Sequence, residues 1–374
     1  MKSLPPPSII KTIALCTYIL RQCSSLQTTP SPIQNTLTPN ELHQLAIKAG
    51  QRERGSKSYK KSWHHYRRCG TESIRYELSQ LLPHPVDQAE LNSLSFSLGV
   101  AADVGEMPSF ESAGARSGYA MDYFCRARLL ADLLIQLGNE AELTKKCHLT
   151  SIGGGPGFDY VAAALVSLFN AAGDSECIMP VHATILDYEV GWGDLVGAMN
   201  EATNAALPTE NKMHCRWGGA CDITKSIYHE SNTNCLQNVN STTIWTCQYC
   251  VAENAVKLRD SDYVFFRELF AAAANGASFL ITETTPRLWP EFYELVLQYN
   301  ADNFDSMLQI SFPYMRGQQM MITKSRIKDG CSVPRVISEK DEKLLLDFEK
   351  YLQSHDDLME SGWERQRKKT LPLI

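Results

Sequence analysis

Between His148 and Thr323, short apolar runs of strand length alternate with longer stretches whose apolar residues recur at helical spacing. HLTSI at 148–152 reads as a strand, and GGGPG at 153–157 as a turn. Phe158 to Asn170 reads as a helix with apolar positions at 158, 161, 162, 165 and 169. Further strands are predicted at 181–186 ending in Asp187, at 214–217 leading to Asp222, at 242–249 and at 277–282. Helices are predicted between them at 195–206, at 263–274 closed by Asn275-Gly276, and at 289–299. Two strands close in sequence, 306–312 and 318–323, come last. Strands separated by helices of this length predict a parallel sheet covered on both faces, and the final pair predicts an antiparallel edge. Ligands of such sheets sit at the carboxyl ends of the strands.

Upstream, Tyr119 to Gly138 reads as one helix with a stripe through Tyr123, Phe124, Ala127, Leu130, Leu134 and Leu137, and 72–118 as short helices joined by loops. Residues 228–241 read as a polar loop, and 338–369 as a charged helix with Leu344, Leu345, Phe348, Tyr351 and Leu352 on one side.

Composition adds a targeting signal and a charge asymmetry. Residues 1–40 hold no Asp or Glu, and eleven of the forty are Ser or Thr, as in an organelle transit peptide; 12–20 adds a short apolar core. This segment is expected to carry targeting rather than fold. The 374-residue chain has a net charge of -6, yet 48–68 carries eight Lys/Arg against Glu53 alone. Tyr59, Trp63 and Tyr66 interleave with those cations. Two readings stay open: a solvated linker or helix start, and an arm that stacks on bases and contacts phosphates. A run of about 18 apolar residues, which a membrane helix needs, is missing, so an intracellular soluble protein without a membrane span is expected, organellar if 1–40 is an address and otherwise cytoplasmic. Of 12 cysteines only Cys247 and Cys250 form a CxxC pair; no second pair completes four ligands, so reduced thiols and no metal are expected.

The glycine loop carries the chemistry. Glycines at 153, 155 and 157 fit GxGxG, whereas a dinucleotide fingerprint wants glycine at 158, where Phe158 stands, and no Gly-Lys-Ser/Thr follows for a phosphate loop. Such a loop suits close backbone approach to an adenosyl ligand without pyrophosphate. On these residues, with Asp187 after the second strand and Asp222 after the third, the chain over 115–325 resembles the class I S-adenosylmethionine-dependent methyltransferases.

The resemblance implies a Rossmann-like α/β fold: a mostly parallel seven-stranded sheet with an antiparallel edge, helices on both faces and a helical N-terminal lead-in. It implies a domain binding S-adenosyl-L-methionine at 115–330; composition and patterning add a targeting segment at 1–40, a basic arm and helical extension at 41–114 and a charged helical tail at 331–374. By the same resemblance Gly153, Gly155 and Gly157 pack against the methionine part of the cofactor, Asp187 takes the ribose hydroxyls, and Asp222 meets the adenine amino group. The fourth strand's end, Thr246 and Cys247 with Gln248 and Tyr249, lines the transfer pocket. The family places Asp or Glu two residues before the first glycine; Ser151 stands there.

Methyl transfer from a sulfonium is an in-line displacement, so alignment in a dry pocket is the main demand. Where the acceptor must lose a proton, Tyr249 and Glu253, just after the fourth strand, are the candidate bases. Arg116, Tyr119, Tyr123 and Arg126 are candidates for a lid. The Asp/Asn-Pro-Pro-aromatic tetrad of exocyclic-nitrogen methylation is absent at 246–249. The acceptor expected is a small organic molecule, for which Trp192, Trp245, Phe265, Phe266 and Trp289 supply aromatic surface. RNA, met by 48–68 and by the basic residues at 365–369, is one alternative; a non-catalytic cofactor-binding scaffold is the other.

Overall fold

A computed structural model describes residues 36–53, 56–104, 108–137, 148–171, 182–207, 214–283, 286, 288–313, 319–327 and 335–350. The targeting segment up to residue 35 and the basic residues at 365–369 lie outside these.

Seven strands form one sheet: β1 (His148–Ile152), β2 (His182–Asp187), β3 (His214–Ala220), β4 (Ile244–Gln248), β5 (Ser278–Thr282), β6 (Ser306–Ser311) and β7 (Gln319–Arg326), in the order β3-β2-β1-β4-β5-β7-β6. The first five pair in parallel, and β7 runs antiparallel between β5 and β6. This is the mixed, helix-flanked α/β sheet with an antiparallel edge that the strand and helix periodicities predict. The strand order reverses between β1 and β4, so the carboxyl ends of those two strands open the crevice in which such sheets bind ligands.

Among the described residues five helices precede the sheet: α1 (Pro39–Gly50), α2 (Lys57–Leu81), α3 (Gln88–Val104), α4 (Ala113–Asp122) and α5 (Arg126–Leu137). Thr38 and Glu41 form a capping box that starts α1 inside the stretch assigned to targeting. The 57–81 stretch is one 25-residue helix, so the basic segment is a helix start from Lys57 onward, and the helix runs past Glu72, where short helices joined by loops are expected. Tyr59, Trp63, Tyr66, Ile74 and Leu78 share its buried face, whereas Lys57, Lys60, Lys61 and Arg68 stay exposed. Trp63 and Tyr66 sit with ring centroids 4.9 and 5.4 Å from Phe169, and the Tyr66 hydroxyl donates to the Leu165 carbonyl at 3.1 Å. These aromatics belong to the core and are not free to stack on bases. Arg67 pairs with Asp132. The predicted single helix over 119–138 is broken at 123–125 into α4 and α5.

The helix α6 (Phe158–Ala171) is buried at every position from Phe158 to Phe169. It lies between the sheet and α2, in a core that also takes Leu149, Ile185 and Leu280 with Met199 of α7 (Gly193–Ala206). The side chains of Ile152, Leu186, Trp245 and Ile281 face the other way, toward α10 (Val264–Ala272), α11 (Trp289–Asp302) and the helix over 339–350. Two short helices, α8 (Thr233–Asn238) in the stretch read as a polar loop and α9 (Ala255–Asp260), complete the set. Period-two alternation along each strand thus supplies both cores. Among the described residues no helix is long and apolar enough to cross a membrane.

Two polar features, one buried and one at the surface, give tests of this packing. Lys324 of β7 is 5% exposed, and its Nζ donates to the carbonyls of Phe270, Ala271 and Ala273 at 2.8–2.9 Å, closing the carboxyl end of α10. Lys324→Met leaves those carbonyls facing an apolar chain and is expected to cost about 2–4 kcal/mol, read by denaturant unfolding. At the amino ends of the strands, His148, His182 and His214 stand in register with stacked rings 5.4 and 6.0 Å apart. Burial and the two neighbouring rings hold the His182 pKa below its usual value. The neutral form is therefore favoured on folding, and stability is expected to fall as pH drops below about 6.5. His182→Gln is expected to shrink the loss between pH 7.5 and 5.5; an undiminished loss contradicts this.

Candidate functional site

β1 ends at Ile152 and α6 begins at Phe158, leaving five residues to reverse the chain. Gly153, Gly155 and Gly157 have φ of +61°, +50° and +91°, the left-handed region that a Cβ disfavours. At Gly153 a Cβ would also stand 2.6 Å from the Cys250 sulfur, so the loop presses against the chain leaving β4. Gly154 N–H donates to the Leu186 carbonyl, and Gly155 N–H donates to Asp187 Oδ2 at 2.9 Å. The glycine loop is thereby tied to the end of β2.

A recess opens there, with about 640 Å³ of space between and above its walls that includes open solvent. Its floor is the glycine loop with Asp159 and Asp187, one wall is Gln248 to Cys250 with Glu253 and Asn254, and the other is Phe110, Tyr119, Tyr188 and Trp192. Phe110, Tyr119 and Trp192 form a cluster with centroids 5.2–5.7 Å apart, Phe110 edge-on to Tyr119 and both tilted against Trp192. Arg116 fixes that wall from behind: its Nη1 donates to the Phe110 and Glu111 carbonyls at 2.6 and 2.8 Å, and its guanidinium fills the space beside Gly191.

Four carboxyl groups cluster at or beside the recess, and burial raises the pKa of each. Asp187, 5% exposed, is pushed up to about 6 by burial, although the backbone N–H groups of Glu189 and Gly155 oppose the shift. Asp159, 2% exposed, is pushed up to about 6 by burial against hydrogen bonds from Ser151 and Thr246. Glu253 rises to about 8 through burial, with Glu283 and Asp187 adding and Arg126 opposing. Glu283 rises to about 7 through burial while accepting from Val251 N–H and Ala252 N–H at 2.8 and 3.1 Å. Among the described residues Arg126 is the one basic side chain lining the recess. Its guanidinium lies 4.1, 4.7 and 5.3 Å from the ring centroids of Tyr249, Tyr123 and Tyr119 and donates to the Tyr119 hydroxyl. Tyr249 itself holds a left-handed φ of +56°, uncommon for a residue with a Cβ, at the point where β4 turns into the wall.

Of the residues singled out from sequence, Gly153, Gly155, Asp187, Gln248, Tyr249 and Glu253 meet in the recess, together with Trp192 and with Tyr119 and Arg126 of the candidate lid. The others lie elsewhere. Gly157 packs against Ile185 at the start of α6. Thr246 is buried and donates to Asp159, so it touches the site through that acid. Cys247 faces the opposite core, where its thiol hydrogen bond with Cys250, together with burial, raises the Cys250 pKa. Asp222 accepts from Thr224 N–H and Oγ1 at 2.9 and 2.6 Å in a turn beyond β3 and is not part of the recess lining. No group of three or more His, Cys, Asp or Glu side chains among the described residues is placed to hold a metal ion.

Asp159 was not singled out from sequence. Ser151 Oγ donates to its Oδ2 at 2.6 Å, and Thr246 Oγ1 and Gln248 Nε2 donate as well. A carboxylate thus stands beside Ser151 from the first turn of α6. The available signal was one acid inside an otherwise apolar helix start.

No protein-family model matches the chain, and no curated protein does. Solved structures share its fold. An O-methyltransferase family protein from Burkholderia thailandensis is 12% identical over 87% of this chain and 100% of that one, with a TM-score of 0.40. The mitomycin 7-O-methyltransferase is 12% identical over 70% and 72%, with a TM-score of 0.38. The ribosomal protein L11 methylase from Lactobacillus delbrueckii subsp. bulgaricus is 11% identical over 54% and 79%, with a TM-score of 0.30. These are similarities of fold only.

Proposed function

We propose that the chain binds S-adenosyl-L-methionine in this recess and transfers its methyl group to a small organic molecule. The observation that carries the reading is the junction of Gly155 with Asp187 at the point where the strand order reverses. There a glycine admits a ligand against the backbone, and a carboxylate with two hydrogen bonds already made keeps acceptor capacity for a pair of ribose hydroxyls. Buried polar atoms agree: Trp192 Nε1, Gln248 Oε1 and Asn254 Oδ1, all on lining residues, have no partner among the described residues. The carboxyls of Asp159, Asp187 and Glu253 against Arg126 alone favour a cationic ligand.

The cofactor supplies an electrophilic methyl group on a sulfonium. Asp187 and the glycine loop orient it, and Phe110, Tyr119, Tyr188 and Trp192 exclude water. The acceptor heteroatom bonds to the methyl carbon as the carbon–sulfur bond breaks, with the electron pair staying on sulfur. The acceptor's proton goes to the Glu253 carboxylate, whose raised pKa makes it an effective base. Tyr249 holds Arg126 beside that carboxylate.

The enclosed aromatic walls support a small molecule. RNA has the exposed lysines of α2 as support, without the aromatic residues beside them. Incubation with a methyl-labelled donor and separate pools of metabolites, RNA and protein tests the acceptor. Label is expected in the metabolite pool; label in RNA or protein overturns the acceptor class, and cofactor binding without label in any pool favours the scaffold.

A further inference from the structure

Among the charged side chains of the recess, Arg126 is the one whose charge the protein leaves unanswered. It opens α5 at the break after α4, where its backbone N–H donates to the Tyr123 carbonyl at 2.9 Å. A cation at the first position of a helix opposes the helix dipole, so Arg126 does not stabilise α5 by standing there. Among the described residues no carboxylate forms an ion pair with its guanidinium, and its side-chain hydrogen bond goes to the Tyr119 hydroxyl. A guanidinium carries five N–H donors, so four are left. The rings of Tyr119, Tyr123 and Tyr249, with centroids 4.1–5.3 Å away, hold the cation without neutralising it. Elsewhere Arg67, Arg128, Arg259 and Arg267 each pair with a carboxylate.

Carboxyls are plentiful around Arg126, yet other donors hold them. Asp159 accepts from Ser151, Thr246 and Gln248, Asp187 from Gly155 N–H and Glu189 N–H, and Glu283 from Val251 N–H and Ala252 N–H. A charge drawn out of water costs stability until an opposite charge meets it. The complement of this guanidinium is an oxyanion, since its planar fork fits a carboxylate or a phosphate with two hydrogen bonds. Tyr249 and Glu253 share its part of the recess, which is the wall where the acceptor gives up its proton.

We infer that Arg126 reads an acidic group of the methyl acceptor, so that the acceptor is a small organic acid bearing a carboxylate or a phosphate. The inference deepens the small-molecule reading above and rests on it. Tyr119, Tyr123 and Tyr249 are positioning residues that present the guanidinium.

The test divides the metabolite pool by ion exchange into acidic, neutral and basic fractions. Each is offered to the full chain with methyl-labelled S-adenosylmethionine. Label is expected in the acidic fraction. Phosphatase treatment of that fraction beforehand separates the two oxyanions: the label survives if the group is a carboxylate and is lost if it is a phosphate. Arg126→Met is expected to lower labelling of the acidic fraction about tenfold to a hundredfold, the range for hydrogen bonds between charged groups, with affinity for S-adenosylhomocysteine nearly unchanged. Arg126→Lys keeps a point charge without the fork and is expected to lose less. Label confined to a neutral or basic fraction, or full labelling by Arg126→Met, overturns the inference while the small-molecule reading stands. A folded Arg126→Met chain that loses affinity for S-adenosylhomocysteine in step with labelling gives the guanidinium to the cofactor and overturns it as well. A wild-type chain that labels none of the three fractions overturns the small-molecule reading and the inference with it.

Discussion

Asp187→Ala is expected to weaken binding of S-adenosylhomocysteine by about a hundredfold or more. The side chain does two things at once: it faces the ligand side of the recess, and it holds Gly155 N–H and Glu189 N–H at 2.9 and 3.0 Å. Two charge-assisted hydrogen bonds to ribose hydroxyls contribute about 1.5–3 kcal/mol each, and losing both accounts for that factor. Asp187→Asn separates binding from folding. Burial raises the Asp187 pKa to about 6, so the folded chain holds a proton that the unfolded chain releases above about pH 4. The carboxylate therefore costs stability, fully so above about pH 6. At pH 7.5 the Asn variant is expected to unfold no earlier than wild type on heating while losing most of its affinity. A variant that binds normally, or one whose loss of affinity merely follows unfolding, contradicts the role given to this side chain.

The second large effect concerns the proton. Glu253→Gln is expected to lower turnover by about 10²–10⁴, the usual contribution of a general base. A base acts only when deprotonated, and the Glu253 pKa is raised to about 8, so kcat/KM of the wild-type chain is expected to rise with pH through a midpoint near 8. The Gln variant is expected to lose that rise. A bound cationic cofactor is expected to move the same midpoint lower in kcat, because a nearby positive charge favours the carboxylate. Tyr249→Phe keeps the ring under Arg126 and is expected to do less harm. Full turnover in both variants removes the base role altogether.

How much of this was readable beforehand follows from local against tertiary causes. The strand, glycine turn and helix over 148–170 were legible because apolar periodicity and left-handed glycines are written locally. The break between α4 and α5 was not, since neither Gly nor Pro marks 123–125; there the chain turns while Arg126 enters the stack of Tyr119, Tyr123 and Tyr249. The basic, aromatic stretch in α2 carried both a surface pattern and a core pattern, and only the position of Phe169 against Trp63 and Tyr66 decides between them. Thr246 and Cys247 were assigned to one pocket, yet neighbours on a strand point to opposite faces. Thr246 accordingly reaches Asp159 while Cys247 enters the second core. Asp159 escaped notice because its partners are 8, 87 and 89 residues away in sequence.

The most direct test of the central claim is titration calorimetry of the purified chain with S-adenosylmethionine and S-adenosylhomocysteine at pH 7.5. Saturable one-to-one binding of both, lost in Asp187→Ala, is the predicted result. Absence of binding heat from a folded wild-type chain, or binding that survives Asp187→Ala unchanged, contradicts the account.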